Sequence, residues 1–92
     1  EVKEIADRAF HNQNKMKNIK IPDTVEIIRN SFNYCSSLEK IEIPRSVTFI
    51  NKGCFGEATN LKEIIIHNTE GAIAGQPWRC IYGDKAVHWV GN

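Results

Sequence analysis

Three cysteines and three histidines are the side chains with the greatest capacity for chemistry in this chain; they are Cys35, Cys54, Cys80, His11, His67 and His88. A structural zinc site usually takes its ligands from cysteine or histidine pairs that are two to five residues apart. No two of these six residues have such a spacing. The sequence therefore predicts no metal site, and Cys35 and Cys54 are expected to be small buried residues of the core.

Nucleophilic catalysis has no support in the motifs either. No histidine lies near a serine or cysteine in a recognisable nucleophile motif, and the chain lacks the G-x-G-x-x-G and G-K-[ST] signatures of phosphate binding. We therefore expect no catalytic residue, no cofactor and no enzyme. His67 is expected to occupy the end of a strand, and His88 is expected to face solvent.

Composition excludes further classes of function. Twelve Lys and Arg oppose eleven Asp and Glu, for a formal net charge of +1, so no charge excess favours nucleic acid or an anionic membrane. The longest apolar candidate segment, Ile64 to Ile66, is far shorter than the roughly 18 residues of a membrane-spanning helix. Because the cysteines are odd in number, at least one is free in a monomer.

An internal repeat organises most of the chain. Phe10, Phe32 and Phe55 are spaced by 22 and 23 residues. Each is followed by a leucine or methionine, then by two isoleucines that are two residues apart, as listed here: Met16, Ile19, Ile21; Leu38, Ile41, Ile43; Leu61, Ile64, Ile66. A period of this length is typical of a solenoid, in which equivalent residues of successive coils stack.

Each copy is expected to contain two short extended segments joined by a turn. Ile41 and Ile43 share one face of a strand while Glu42 lies on the other, and Pro44 ends the strand. A second extended segment precedes each phenylalanine, with the aligned pairs Val2 and Ile5, Val25 and Ile27, and Val47 and Ile50. The segment from Phe32 to Leu38 is polar and short, which suits one turn of α-helix or 3₁₀ helix.

These residues resemble a known repeat. The segment from Ser31 to Ile50, SFNYCSSLEKIEIPRSVTFI, is similar to the repeat of BspA-like leucine-rich-repeat proteins, also called the Treponema pallidum type, which runs roughly A-F-x-x-C-x-x-L-x-x-I-x-I-P-x-S-V-T-x-I. The likeness covers residues 1 to about 67. It implies a leucine-rich-repeat solenoid of about three copies with a 22- to 23-residue period, the first copy truncated at its N-terminus.

The residues after His67 are predicted to form a separate C-terminal cap over 68–92. The period stops there, and glycines and the only two tryptophans, Trp78 and Trp89, appear. Gly83 and Asp84 lie between two apolar segments, 80–82 and 85–90, a pattern that favours a two-residue β-hairpin turn. The tryptophans could form an aromatic platform for a ligand, but packing within the cap is the stronger expectation.

The chain begins at Glu1, within a coil, with no comparable cap before Val2. From this we expect either further repeats upstream or an open N-terminal end that meets another molecule. Self-association through that end is one form of the second expectation.

The outward-pointing residues of the repeated strand are the candidate ligand face. They are Asn18, Lys20, Lys40, Glu42, Glu63 and Ile65. Stacked coils would place Lys20 beside Glu42 and Lys40 beside Glu63. The alternative is that these residues only form exposed ion pairs, each worth less than about 1 kcal/mol.

The family resemblance implies a secreted or cell-surface protein that binds a protein or glycan, host extracellular-matrix proteins included. The alternative function is a structural spacer that carries another domain. Neither alternative involves nucleic acid or insertion of this chain into a membrane.

Overall fold

The computed structural model of the protein describes residues 3–6, 9–10, 15–74, 78 and 83–91. In chain order, the described elements are β1 (Glu4–Ile5), β2 (Asn18–Lys20), β3 (Ile27–Ile28), β4 (Lys40–Ile43), β5 (Phe49–Ile50), β6 (Glu63–Ile66), a 3₁₀ helix (Gly83–Ala86) and β7 (Val87–Trp89). The strands form two parallel sheets, ordered β1-β3-β5 and β2-β4-β6-β7. This arrangement is a β-solenoid with a period of about 23 residues, as the sequence predicts.

The strands form because their isoleucines alternate with polar residues. Ile41 and Ile43 of β4 are fully buried, whereas the side chain of Glu42 between them is partly exposed. In β6, Ile64 and Ile66 are buried in the same way. Stacking one pair on the next removes each isoleucine from water, which stabilises the fold by roughly 1.5–3 kcal/mol for each side chain.

A column of aromatic rings lies between the two sheets. Phe10 stacks on Phe32 with ring centroids 5.2 Å apart, and Phe32 stacks on Phe55 at 5.9 Å. Phe55 then meets Trp78 edge-to-face at 6.3 Å. The predicted phenylalanine column is therefore confirmed, and Trp78 extends it into the next coil.

The shorter repeat is aligned differently from the sequence expectation. Ile28, rather than Ile27, pairs with Ile5 on one side and with Ile50 on the other. Ile28 is fully buried, while Ile27 is only partly buried. Because successive side chains of a strand point to opposite faces, this one-residue difference decides which isoleucine enters the core. The missing residue of this copy therefore lies between Ile28 and Phe32.

The segments that link the two sheets are hydrogen-bonded turns. The Leu38 amide donates to the Cys35 carbonyl at 3.2 Å, and the Leu61 amide donates to the Ala58 carbonyl at 3.1 Å. The segment from Phe32 to Leu38 contains separate hydrogen-bonded turns and no helix, so the expected single helical turn is present only as a turn closed between residues i and i+3. Tyr34 and Glu57, each two residues after its column phenylalanine, have φ of 63° and 59°, a left-handed conformation that is costly for residues with a Cβ.

The C-terminal hairpin prediction is wrong wherever the structure describes that segment. Gly83 and Asp84, the expected turn, begin the 3₁₀ helix, and β7 pairs in parallel with β6. The expected first strand, 80–82, lies outside the described residues. Ala74 also bridges Phe49 in parallel, so both sheets continue beyond His67 and the period does not stop there.

The last described residues fit closely against the preceding coil. The Gly91 amide donates to the Asn68 carbonyl at 3.1 Å. A Cβ at position 91 would lie only 2.4 Å from the Asn68 Cα, so the backbone approach at this point requires glycine.

Candidate functional site

The outward side chains of β2, β4 and β6 form two columns, which we call the strand face. The register aligns Asn18 with Lys40 and Lys40 with Glu63; it also aligns Lys20 with Glu42 and Glu42 with Ile65. Each column runs across three strands of one sheet, with the isoleucines on the opposite side facing the core. The predicted placement of all six residues is confirmed, while their role in binding stays a prediction.

His88 adds a fourth member to one of these columns. It pairs in register with Ile65 and is exposed. Its exposure agrees with the sequence prediction, but its position follows from the parallel pairing of β7 rather than from a hairpin. The sequence contains an indication of this position, because His88 follows Ile65 by one period of the solenoid.

Glu42 pairs with a residue that the sequence does not identify as its partner. The His67 Nε2 lies 3.0 Å from the Glu42 Oε1, and both side chains are partly exposed. This hydrogen bond, together with the charges of Lys20 and Lys40, holds the pKa of Glu42 below its ordinary value. Among the described residues, the short side-chain contact of Glu42 is therefore with His67, and no contact within 4.0 Å joins its carboxylate to the neighbouring Lys20.

His67 reaches Glu42 because of its position at the end of β6. Its backbone amide donates to the Ile43 carbonyl at 2.9 Å, which places its side chain beside the previous coil. The equivalent position of the two preceding coils holds proline, Pro22 and Pro44. His67 does occupy the strand-ending position, as predicted, and it also adds a titratable group to the strand face.

An open depression of about 450 Å³ lies on the strand face, lined by Asn18, Ile19, Lys20, Lys40 and Glu42. All five residues belong to β2 and β4. Ile19 is only partly buried, unlike Ile41 and Ile64 at the equivalent positions of the next two coils. The side chains of the strand face that line the depression are therefore two cations, one carboxylate and one amide, while the side chain of Ile19 packs against the core.

The two described cysteines are buried, as the sequence predicts. The Cys35 thiol donates to the Phe10 carbonyl at 3.0 Å, and the Cys54 thiol donates to the Arg29 carbonyl at 3.2 Å. Burial raises the pKa of Cys54 to about 11, so this thiol is a poor nucleophile at neutral pH. No group of three or more potential metal ligands occurs among the described residues, and Cys80 and His11 lie outside them.

The tryptophans pack inside the fold. Trp78 is only 4% exposed, and its indole N–H donates to the Ile50 carbonyl at 3.1 Å. The ring of Trp89 lies 6.2 Å from that of Trp78 and is partly buried. Core packing is therefore their observed arrangement, and Trp78 offers no platform to a ligand.

Comparison with known proteins identifies the repeat. The family model described as the BspA type leucine-rich repeat region, with six copies, matches residues 1–77. The match extends past His67 into the C-terminal coil, in agreement with the parallel strands there. No curated protein and no solved structure matches the chain at a significant level. Within the described residues, no helix combines the length and apolar character needed to cross a bilayer.

Proposed function

The chain belongs to the BspA-type leucine-rich-repeat family, and we propose that it is a non-catalytic adhesion module whose strand face binds a protein ligand. Membership of this family is typical of repeat modules that mediate protein interaction, and the repeats are generally non-catalytic. Proteins of this family are typically extracellular or surface-associated. Host extracellular-matrix proteins are the proposed ligands.

The in-register alignment of the strand face is the observation that carries the proposal. Two columns of polar and charged side chains span neighbouring strands with no chain segment between them. The strands are held by backbone hydrogen bonds and by a fully buried core beneath them. The backbone of such a surface keeps its shape when a ligand docks, so the entropic cost of binding comes from the side chains and little from the backbone.

The test is capture of fibronectin and fibrinogen by the immobilised chain, compared with a variant that carries Lys20→Ala, Lys40→Ala and Glu42→Ala. A matched control carries Lys52→Ala, Lys62→Ala and Glu57→Ala, which removes the same charges from exposed positions outside the strand face. Circular dichroism establishes that all three proteins are folded. We expect saturable capture that the first variant loses and the control keeps.

Equal loss in both variants would point to non-specific charge attraction and would contradict a role for the strand face. No capture by the folded parent chain would favour the spacer function instead.

A further inference from the structure

The residues that line the depression on the strand face include more positive than negative charges. Lys20 and Lys40 lie on neighbouring strands, each aligned with a different residue of the other strand, Glu42 and Asn18. The two cations are therefore diagonal to each other across the depression. Both lower the pKa of Glu42 through their charge, and all three residues line the depression.

The carboxylate of Glu42 does not neutralise both lysines. It forms its short contact with the His67 Nε2, at 3.0 Å. Within the described part of the chain, neither Lys20 nor Lys40 forms an ion pair. The lining of the depression therefore has two ammonium groups and one carboxylate that is already hydrogen-bonded, a net positive charge, while Glu63 lies beyond the lining on the next strand.

We propose, on the basis of the binding function above, that this depression holds an acidic segment of the protein ligand. A carboxylate of the ligand lies between Lys20 and Lys40, and neutral residues of the ligand flank it. Lysine ammonium groups attract carboxylates, and their long stems let both groups converge on one anion.

An acidic peptide fits the surroundings better than a sulfated glycan does. Glu63 is aligned with Lys40 on the next strand, and Glu42 lines the depression itself. A polyanion of high charge density would meet both carboxylates, and repulsion between like charges would oppose its binding. A peptide can place one carboxylate at the lysines and apolar or neutral residues elsewhere.

The experiment measures, by anisotropy, the binding of three fluorescent peptides of equal length with capped ends and a neutral sequence except at one central position. That position holds Glu, Gln or Lys, and the three are called the Glu, Gln and Lys peptides. We expect the Glu peptide to bind at least about fivefold more tightly than the Gln peptide, the order of one surface charge contact. The affinity should fall as salt is raised from roughly 50 to 300 mM, because exposed charges are screened.

Variants separate the proposed contacts from general charge. Lys20→Gln and Lys40→Gln should each weaken the Glu peptide by about three- to fivefold, while Lys52→Gln, an equal change of charge outside the depression, leaves it unchanged. Glu42→Gln should tighten the same peptide by about two- to fivefold, because it removes the competing carboxylate. If Glu42 acted only in stabilising the fold, Glu42→Gln would not raise the affinity for the Glu peptide.

Equal binding of the Glu and Gln peptides, or unchanged binding by the Lys20→Gln and Lys40→Gln double variant, would overturn the inference. Tight binding of heparin without binding of the Glu peptide would also overturn it and assign the depression to a glycan. If matrix-protein capture depends on the strand face but no preference for acidic peptides appears, the proposed function stands and this inference fails. If the chain shows neither capture that depends on the strand face nor a preference for the Glu peptide, the proposed function fails as well.

Discussion

The second, third and C-terminal coils contribute parallel strands to the same sheet but differ in the burial of their side chains. Ile64 and Ile66 of β6 are fully buried, whereas Val87 and Trp89, aligned with them in β7, are partly exposed. Parallel pairing therefore continues into the C-terminal coil, although the side chains of β7 are less buried than those of β6. The comparison indicates that backbone register extends the stack, while the central coils supply most of its hydrophobic stabilisation.

We propose that residues 68–92 act as the cap of the solenoid, since β7 and Trp78 cover surfaces of the third coil. Truncation after His67 should give the largest effect, because it uncovers the edge of β6 and the ring of Phe55. An exposed parallel edge over an apolar stack favours aggregation. We expect insoluble or unfolded protein in sedimentation and circular dichroism, with the full chain as control. A soluble, cooperatively folded truncated chain would show that the cap is dispensable.

Matched truncations of aligned side chains should measure the difference between the coils. Ile64→Ala should reduce the free energy of unfolding by about 2–5 kcal/mol because it leaves a cavity in the core. Val87→Ala, at the aligned position of β7, should cost about 1 kcal/mol, since Val87 is only partly removed from water. Urea denaturation measures both values. Equal losses would mean that the C-terminal coil is packed as tightly as the central ones.

Turn conformation is expected to give a smaller effect of the opposite sign. Glu57 has a φ of 59° and is exposed, so Glu57→Gly should raise the free energy of unfolding by about 0.5–1 kcal/mol. Glu57→Ala is the control, because it removes the carboxylate but keeps the Cβ that makes this conformation costly. Thermal and urea denaturation should show a gain for glycine and none for alanine. A similar gain for both would assign the effect to the loss of the carboxylate rather than to the backbone.

The pair between Glu42 and His67 should give the smallest effect, seen as a dependence on pH. The folded-state pKa of Glu42 lies below its ordinary value, so its contribution is present above about pH 4.3 and is lost as the pH falls through the folded-state pKa. Urea midpoints measured between roughly pH 5 and pH 3 should therefore fall less steeply in Glu42→Gln than in the parent. His67→Gln, which removes the imidazole, should also reduce this slope. An unchanged slope in both variants would contradict the linkage.

The repeated positions made the fold predictable from the sequence. Residues equivalent to Phe32, Ile41 and Ile43 recur every 22 or 23 residues. The stacking of these residues in successive coils follows from that recurrence alone. Trp78 follows Phe55 by the same period that separates the phenylalanines. Because this coil has tryptophan where the others have phenylalanine, the repeat is harder to recognise in the sequence. Gly83 and Asp84, between two apolar segments, favour a hairpin over a further parallel coil.

The register of the strands and the partners of the side chains were harder to predict from the sequence. Ile27 and Ile28 are equally apolar, so only the alignment of β3 with its neighbours decides which one is buried. The strand face could be predicted because outward positions alternate with buried isoleucines. The contact between His67 and Glu42 could not, since it depends on the direction of a side chain beyond the end of β6.

The strand face depends on one continuous parallel sheet, β2-β4-β6-β7, with its residues in register. Nuclear Overhauser effects between backbone protons of adjacent strands test this claim most directly. We predict contacts that link Lys20 with Glu42, Glu42 with Ile65, and Ile65 with His88. Contacts of residues 87–89 with 80–82 in an antiparallel pattern, or a shift of one residue between β4 and β6, would contradict it.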